Sequence, residues 1–425
     1  MNQHPGNHHK RSRRSPWSGL RSQLGPGLVT GASDDDPSGI ATYSQAGAGF
    51  GLSTLWTSLL TLPLMISVQE MCARIGLVTR KGLTAVIRLY YPKPVLWLIV
   101  LVSFPAIILN IGANLSGMGA VANMLLPDIP APVFNILFGI SITYITIALP
   151  YARIANILRW LCLSLLCYMI VPFLTRTDWP QVLKHSLIPE IRWDRDFILI
   201  IVALLGTTIS PYLFFWQTSM EVEEAREHRL VVNKRVMDSM QQDVRVGMFF
   251  SNLVSFFIIL TAGSVMFPAG IQNISTVQEA AMALRPLAGD MSYLLFSVGV
   301  IGTGLLSIPV LAGAMSYMVS EAFGWKEGLN KKFHQARGFY GVMVVSILSA
   351  LLINFSGLSP MRALILTAVV YGVMAPVVIA IILHICNNRL IMGDRVNGKW
   401  SNLFGWSALL LMSAAAIALL YYTVV

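Results

Sequence analysis

Eleven apolar stretches recur along this chain, each close to the ~20 residues that an α-helix needs to cross a bilayer. They lie at 24–48, 53–75, 95–124, 133–150, 153–174, 197–219, 244–266, 291–321, 339–356, 360–386 and 404–423. Charged residues make up 12% of the sequence, about half the share of a soluble protein. Within hydrocarbon every backbone N–H and C=O must be paired inside the chain, which leaves helices as the architecture. The expected fold is all-α and integral to the membrane, with eleven transmembrane helices. The 291–321 stretch holds Gly299, Gly302, Gly304 and Pro309 and reads as one bent helix. Stretches four and five join tightly through Pro150, Tyr151 and Ala152.

The basic residues give the direction. Of 30 Lys and Arg, all but Arg176, Lys184, Arg192, Arg195, Arg285 and Arg362 fall on the side of the N-terminus. That asymmetry puts the N-terminus in the cytoplasm and, after eleven crossings of the plasma (inner) membrane, the C-terminus on the opposite side. It also accounts for the net charge of +10, so the expected partner is the lipid bilayer and not a nucleic acid. The basic tail 1–22, with His4, His8 and His9, is too polar to fold by itself. Cys72, Cys162, Cys167 and Cys386 lie in or at the ends of apolar stretches without a Cys-x-x-Cys pair, and read as buried free thiols.

Two spans are interrupted, and the interruptions carry the functional signal. The first places Asp34, Asp35 and Asp36 directly before Pro37. An ionised Asp at membrane depth costs about 2.5–3.5 kcal/mol even on the gentler insertion scale. Pro37 frees backbone carbonyls beside those carboxylates. An acidic, broken transmembrane helix is the physical description of a cation site. The sixth stretch, Leu204 to Gln217, is broken at Pro211. Stretches one and six run in opposite directions, so two broken helices occupy corresponding places in oppositely oriented five-helix halves. That is the signature of an inverted-repeat transporter, with halves 23–174 and 197–386 and a further helix at 404–423.

The site is expected where the breaks face each other. Asp36 is the first candidate ligand. Asp34 and Asp35 either ligate or line a water-filled vestibule that concentrates cations. Ser210 offers a hydroxyl and Thr207 a carbonyl. Tyr212 and Gln217 either hydrogen-bond metal-bound water or pack between helices, and Gln45 braces the first unwound stretch. Glu70 is expected to pair with Arg74 one turn on. Residues 220–245 read as an amphipathic cytoplasmic helix and linker. There is no His-Glu-x-x-His, Walker loop or Gly-x-Ser-x-Gly, so a gradient-driven transporter is expected and not an enzyme.

Gly25-Pro-Gly-Leu-Val, Asp36-Pro-Ser-Gly-Ile-Ala-Thr, Gln45-Ala-Gly-Ala, Gln69-Glu-Met-Cys-Ala-Arg-Ile-Gly76 and Met392-Gly-Asp-Arg-Val-Asn397 together resemble the NRAMP family of divalent-metal transporters. The resemblance implies a LeuT-type 5+5 inverted repeat, with metal held between the unwound parts of helices 1 and 6. The family's Asp-Pro-Gly-Asn is here Asp36-Pro37-Ser38-Gly39, so Asp36 carries over while Gly39 stands in the metal site where the family has an Asn ligand. The family's Met-Pro-His is here Ser210-Pro211-Tyr212. A hydroxyl in place of a thioether leaves oxygen donors, which suit hard cations such as Mg²⁺ or Mn²⁺.

Asn114 and Gly117 fall where the family's third helix carries an Asp and a Glu thought to relay protons, and Tyr212 replaces the sixth-helix His. These changes are similar to those of the NRAMP-related magnesium transporters. The implied activity is alternating-access transport of Mg²⁺ and/or Mn²⁺ by a monomer, not strictly proton-coupled. The metal is cargo, and no resident cofactor is implied. Two alternatives stay open: a proton-coupled Mn²⁺/Fe²⁺ carrier, and a carrier of the same fold that takes a small organic solute. Thr367 and Ala368 lie near the place where the family often has a polar ligand in stretch ten, and no ligand is assigned there.

Overall fold

The computed structural model describes residues 25–148, 163–175, 177–354, 357 and 359–424. The basic tail, the junction at Pro150–Ala152 and residues 153–162 of the fifth stretch lie outside these residues. The first span is two half-helices, α1 (Pro26–Asp34) and α2 (Pro37–Phe50). α3 (Trp56–Thr79), a short α4 (Leu83–Tyr90), α5 (Lys93–Leu125), α6 (Ala131–Ala148) and α7 (Cys167–Leu174) follow. The second broken span is α8 (Arg195–Thr208) and α9 (Pro211–Glu227). After it come α10 (Lys234–Val265), α11 (Ser292–Phe323), α12 (Arg337–Ile353), α13 (Pro360–Asn387) and α14 (Lys399–Val424). As expected, 291–321 is one helix, with Pro309 inside it.

Eight helical spans among the described residues are long and apolar enough to cross a membrane, with α8 and α9 counted together. α1 and α2 fall short of that length singly because the break divides them, and α12 is a shorter apolar helix of 17 residues. The most apolar window of α8–α9 is 94% buried, against 28% for α14. The broken span is therefore central and the last helix peripheral.

Small residues let the central helices touch backbone to backbone. A Cβ on Gly31 of α1 would lie 2.3 Å from the Gly247 carbonyl oxygen of α10. One on Gly206 of α8 would lie 2.2 Å from the Gly372 nitrogen of α13. Such contacts are the usual packing device where lipid supplies no hydrophobic drive. Cys72 and Cys386 are buried free thiols, as read from the sequence; Cys167 is a free thiol but only half-buried, and Cys162 lies outside the described residues.

Three expectations need correction. Residues 220–245 contain no separate amphipathic helix: α9 continues to Glu227 and α10 begins at Lys234. Glu221 and Glu223 are buried on α9, where Gln217 Nε2 donates to Glu221 (3.0 Å) and the Tyr317 hydroxyl and Leu329 N–H donate to Glu223. Glu70 does not pair with Arg74. It binds Arg245 of α10 at 2.7 Å, while Arg74 donates to Asn397 Oδ1 at 2.9 Å. A tertiary partner has displaced the i,i+4 pair. Gln45 lies on the far side of α2 from the break. Its amide donates to the Gln272 carbonyl (3.0 Å) and accepts from the Ile274 N–H (2.8 Å), so it pins the 271–274 loop.

Candidate metal-binding site

Both breaks follow from one fact of covalent chemistry. Proline has no N–H, so the carbonyl four residues earlier loses its helical donor. For Pro37 that carbonyl belongs to Ser33, and the Tyr212 hydroxyl of α9 donates to it at 2.9 Å. For Pro211 it belongs to Thr207, and the Ser210 hydroxyl donates to it at 2.7 Å. Each orphaned acceptor is thus met by a side chain from the second break. Tyr212 is a strut between the two breaks, with no hydroxyl hydrogen left for a metal-bound water.

The three carboxylates diverge. Asp36 is the N-cap of α2: its Oδ1 accepts the Gly39 N–H at 2.8 Å. Its Oδ2 accepts from Asn110 (3.1 Å) and Asn114 (2.9 Å) of α5. Asp34 and Asp35 turn the other way, towards α10. The Ser251 hydroxyl donates to Asp34 Oδ2 at 2.9 Å and lies 3.5 Å from Asp35 Oδ1. Both residues are buried, at 1% and 5% exposure, so neither lines an open vestibule; this corrects that part of the sequence reading. Asp34 Oδ1 has no hydrogen-bond partner. Among the described residues no three His, Cys, Asp or Glu side chains converge on one point. A cation here must therefore combine carboxylate with hydroxyl and carbonyl oxygens.

The breaks do face each other. A Cβ on Gly39 would stand 3.3 Å from the Thr207 hydroxyl and 3.4 Å from the Asp34 carbonyl oxygen. Gly39 therefore lets α2 approach the end of α8 more closely than a residue with a Cβ would. Ser210 lies beside the Asp34 carboxylate. Asn114 meets Asp36 as a donor, not as a proton acceptor. Gly117 faces apolar atoms, with Leu364 Cδ1 3.2 Å and Pro37 Cβ 3.7 Å from the place of a Cβ. Gln217 sits two turns along α9, where it accepts from the Thr30 hydroxyl and donates to Glu221, so it locks α1 to α9 and is not in the site.

Sequence reasoning missed three participants. Asn110 was not singled out, although it lies one turn from Asn114 on the same face. Ser251 gave no signal, because a serine in an apolar helix is usually packing. Ser38 stands where the family has Gly, and its hydroxyl donates to the Leu364 carbonyl (2.7 Å) and contacts the Thr367 hydroxyl (2.8 Å). Thr367 in turn reaches Asn110 Oδ1 at 3.4 Å, so stretch ten supports the Asp36 cluster from behind.

The profile of the Nramp family, natural resistance-associated macrophage protein-like, matches residues 27–422. This chain is a member of the Nramp family. Two relatives, each named divalent metal cation transporter MntH, come from Clostridium acetobutylicum and Bacillus subtilis. The first is 26% identical over 95% of this chain and 92% of its own, the second 24% over 96% and 93%. Among solved structures, the Eremococcus coleocola manganese transporter superposes with a TM-score of 0.77 at 17% identity, covering 98% of this chain and 88% of that one. MhsT in complex with L-phenylalanine gives 0.64 at 14% identity, over 95% and 98%. Mhp1, a nucleobase-cation-symport transporter, gives 0.59 at 13%, over 94% and 91%. The fold of this Nramp protein is thus the LeuT-type architecture that the family resemblance implied, and its relatives are transporters, not enzymes.

Proposed function

We propose that this Nramp protein carries Mg²⁺ and/or Mn²⁺ across the plasma membrane by alternating access, without stoichiometric proton movement. The observation that carries the reading is the donor chemistry between the breaks. The Asp34 carboxylate and the Ser210 and Thr207 hydroxyls are all oxygens, and hard oxygens suit Mg²⁺ and Mn²⁺. The names of the relatives support divalent-metal transport. The positive-inside pattern supports a cytoplasmic N-terminus and a C-terminus outside. The chain is taken to act as a monomer of the NRAMP-related magnesium-transporter type.

The absence of coupling rests on Asn110 and Asn114, which surround Asp36 with amides that cannot exchange protons. At the N-terminal end of α1 a cavity of about 520 Å³ is lined by Gly25, Glu221, Glu224 and Asp243 among others, an acidic surface that would attract cations. Uptake of Mg²⁺ and Mn²⁺ into proteoliposomes holding a pH dye tests the reading. Flux of both ions without internal acidification is the expected result. Mn²⁺ flux with acidification and no Mg²⁺ flux would make it a proton-coupled carrier. No flux of either ion would leave an organic solute as the cargo.

A further inference from the structure

Resting on the metal-transport reading, we infer that Asp34, and not only the family-position Asp36, presents the carboxylate that binds the cation, with Ser210 and Ser251 beside it. The two residues differ in what already satisfies them. Asp36 has three donors, the Gly39 N–H and the Asn110 and Asn114 amides, and caps the N-terminus of α2, where the helix dipole favours negative charge. Its charge is stabilised without a cation. Asp34 has one donor, Ser251, on Oδ2; its Oδ1 is fully enclosed and has none.

Asp34 also ends α1, so it sits at the negative end of a helix dipole, with Asp35 as its neighbour. Ser210 gives Asp34 little relief, because its single hydroxyl hydrogen is contested by the carbonyls of Thr207 (2.7 Å) and Gly206 (3.2 Å). The hydroxyl's lone pairs are what remain for Asp34. α8 ends next to this point at Thr208, adding a second C-terminal dipole of the same sign. A carboxylate oxygen without a donor, a contested hydroxyl and two helix C-termini form a locus that a bound cation would satisfy. Asp36 in addition fixes the start of α2 through its N-cap bond to Gly39.

The test is Mn²⁺, Mg²⁺ and Cd²⁺ binding by calorimetry to the purified full-length protein and to Asp34→Asn, Asp34→Cys, Asp36→Asn and Asp36→Cys. Asp34→Asn is expected to weaken Mn²⁺ binding at least about tenfold. Asp34→Cys, by placing a soft sulfur on the ion, is expected to raise the Cd²⁺-to-Mg²⁺ preference at least about tenfold. That change in preference is not produced by a merely structural role, and it reads out even if Asp34→Asn folds poorly. Wild-type affinity in Asp34→Asn, or a change in preference confined to Asp36→Cys, would overturn the assignment. Absence of any divalent binding by the unaltered protein would overturn the transport reading itself and this assignment with it.

Discussion

The Tyr212 hydroxyl donates to the Ser33 carbonyl at 2.9 Å, so the acceptor that Pro37 deprives of its helical partner is satisfied from the opposite half of the repeat. Tyr212→Phe keeps the ring and removes only this bond. Leaving a buried carbonyl unpaired costs about 1–3 kcal/mol. The variant is expected to melt at lower temperature in detergent and to transport more slowly, and an unchanged melting temperature would show that the strut is idle.

Ser210→Met places a thioether beside Asp34. Soft sulfur favours transition metals over Mg²⁺. Competition uptake assays should show Mg²⁺ flux falling while Cd²⁺ and Mn²⁺ flux is kept; equal loss of all three would argue against a direct contact.

Asn114→Asp puts a second carboxylate at a 2.9 Å contact with Asp36. Two carboxylates this close do not both ionise, so the pair holds a proton near neutral pH and gives it up when the surroundings become more positive. Metal uptake by the variant should acquire a pH dependence and an accompanying proton signal, whereas the unaltered protein is expected to show neither. A flat pH profile in the variant would show that this position does not communicate with the cargo.

Gly31→Ala drives a methyl group into the Gly247 carbonyl, 2.3 Å away. Backbone cannot move aside as a flexible side chain can, so α1 must separate from α10. Loss of transport and of thermal stability is expected. Gly341→Ala, where nothing lies within 4 Å of the new atom, is the matched control and should behave as the unaltered protein does.

Glu327, in the loop between α11 and α12, is raised from an ordinary value of 4.5 to about 7, chiefly by burial. Glu223 also raises it, while Arg226, Lys331 and Arg88 oppose the shift. A carboxyl that binds its proton more tightly when folded lends stability below its unfolded value, and that stability is lost as pH rises through the folded one. Thermal stability should therefore fall between about pH 4.5 and pH 7. Glu327→Gln should flatten that slope in melting curves taken across the same window.

The sequence made the breaks visible because proline and aspartate in hydrocarbon are rare and have few physical readings. The opposed orientation of Pro37 and Pro211, and hence the inverted repeat, followed from counting basic residues. What was not visible is rotation about each helix axis. Asp34, Asp35 and Asp36 are adjacent in sequence, yet the backbone turn at the break sends one towards α5 and two towards α10. No composition or spacing rule states that. The same ambiguity hid Gln45, Gln217 and Glu70, whose partners at Ile274, Thr30 and Arg245 are remote in sequence and were chosen by packing. Ser251 and Thr367 are single hydroxyls in apolar helices, and only the fold reveals what they touch.

The Gly31–Gly247 contact bears on how this protein can move. With no side chain between them, α1 and α10 meet as two bare surfaces, a geometry that allows sliding and tilting but resists parting. Thr30 and Asp34, on either side of Gly31, are tied to Gln217 and Ser251. The half-helix is thus fastened to one neighbour through Thr30 and to another through Asp34, and its pivot lies between the two ties. Opening the floor of the molecule then becomes a lever action about Gly31, in which release of the Thr30 end loads the Asp34 end, the proposed seat of the ion.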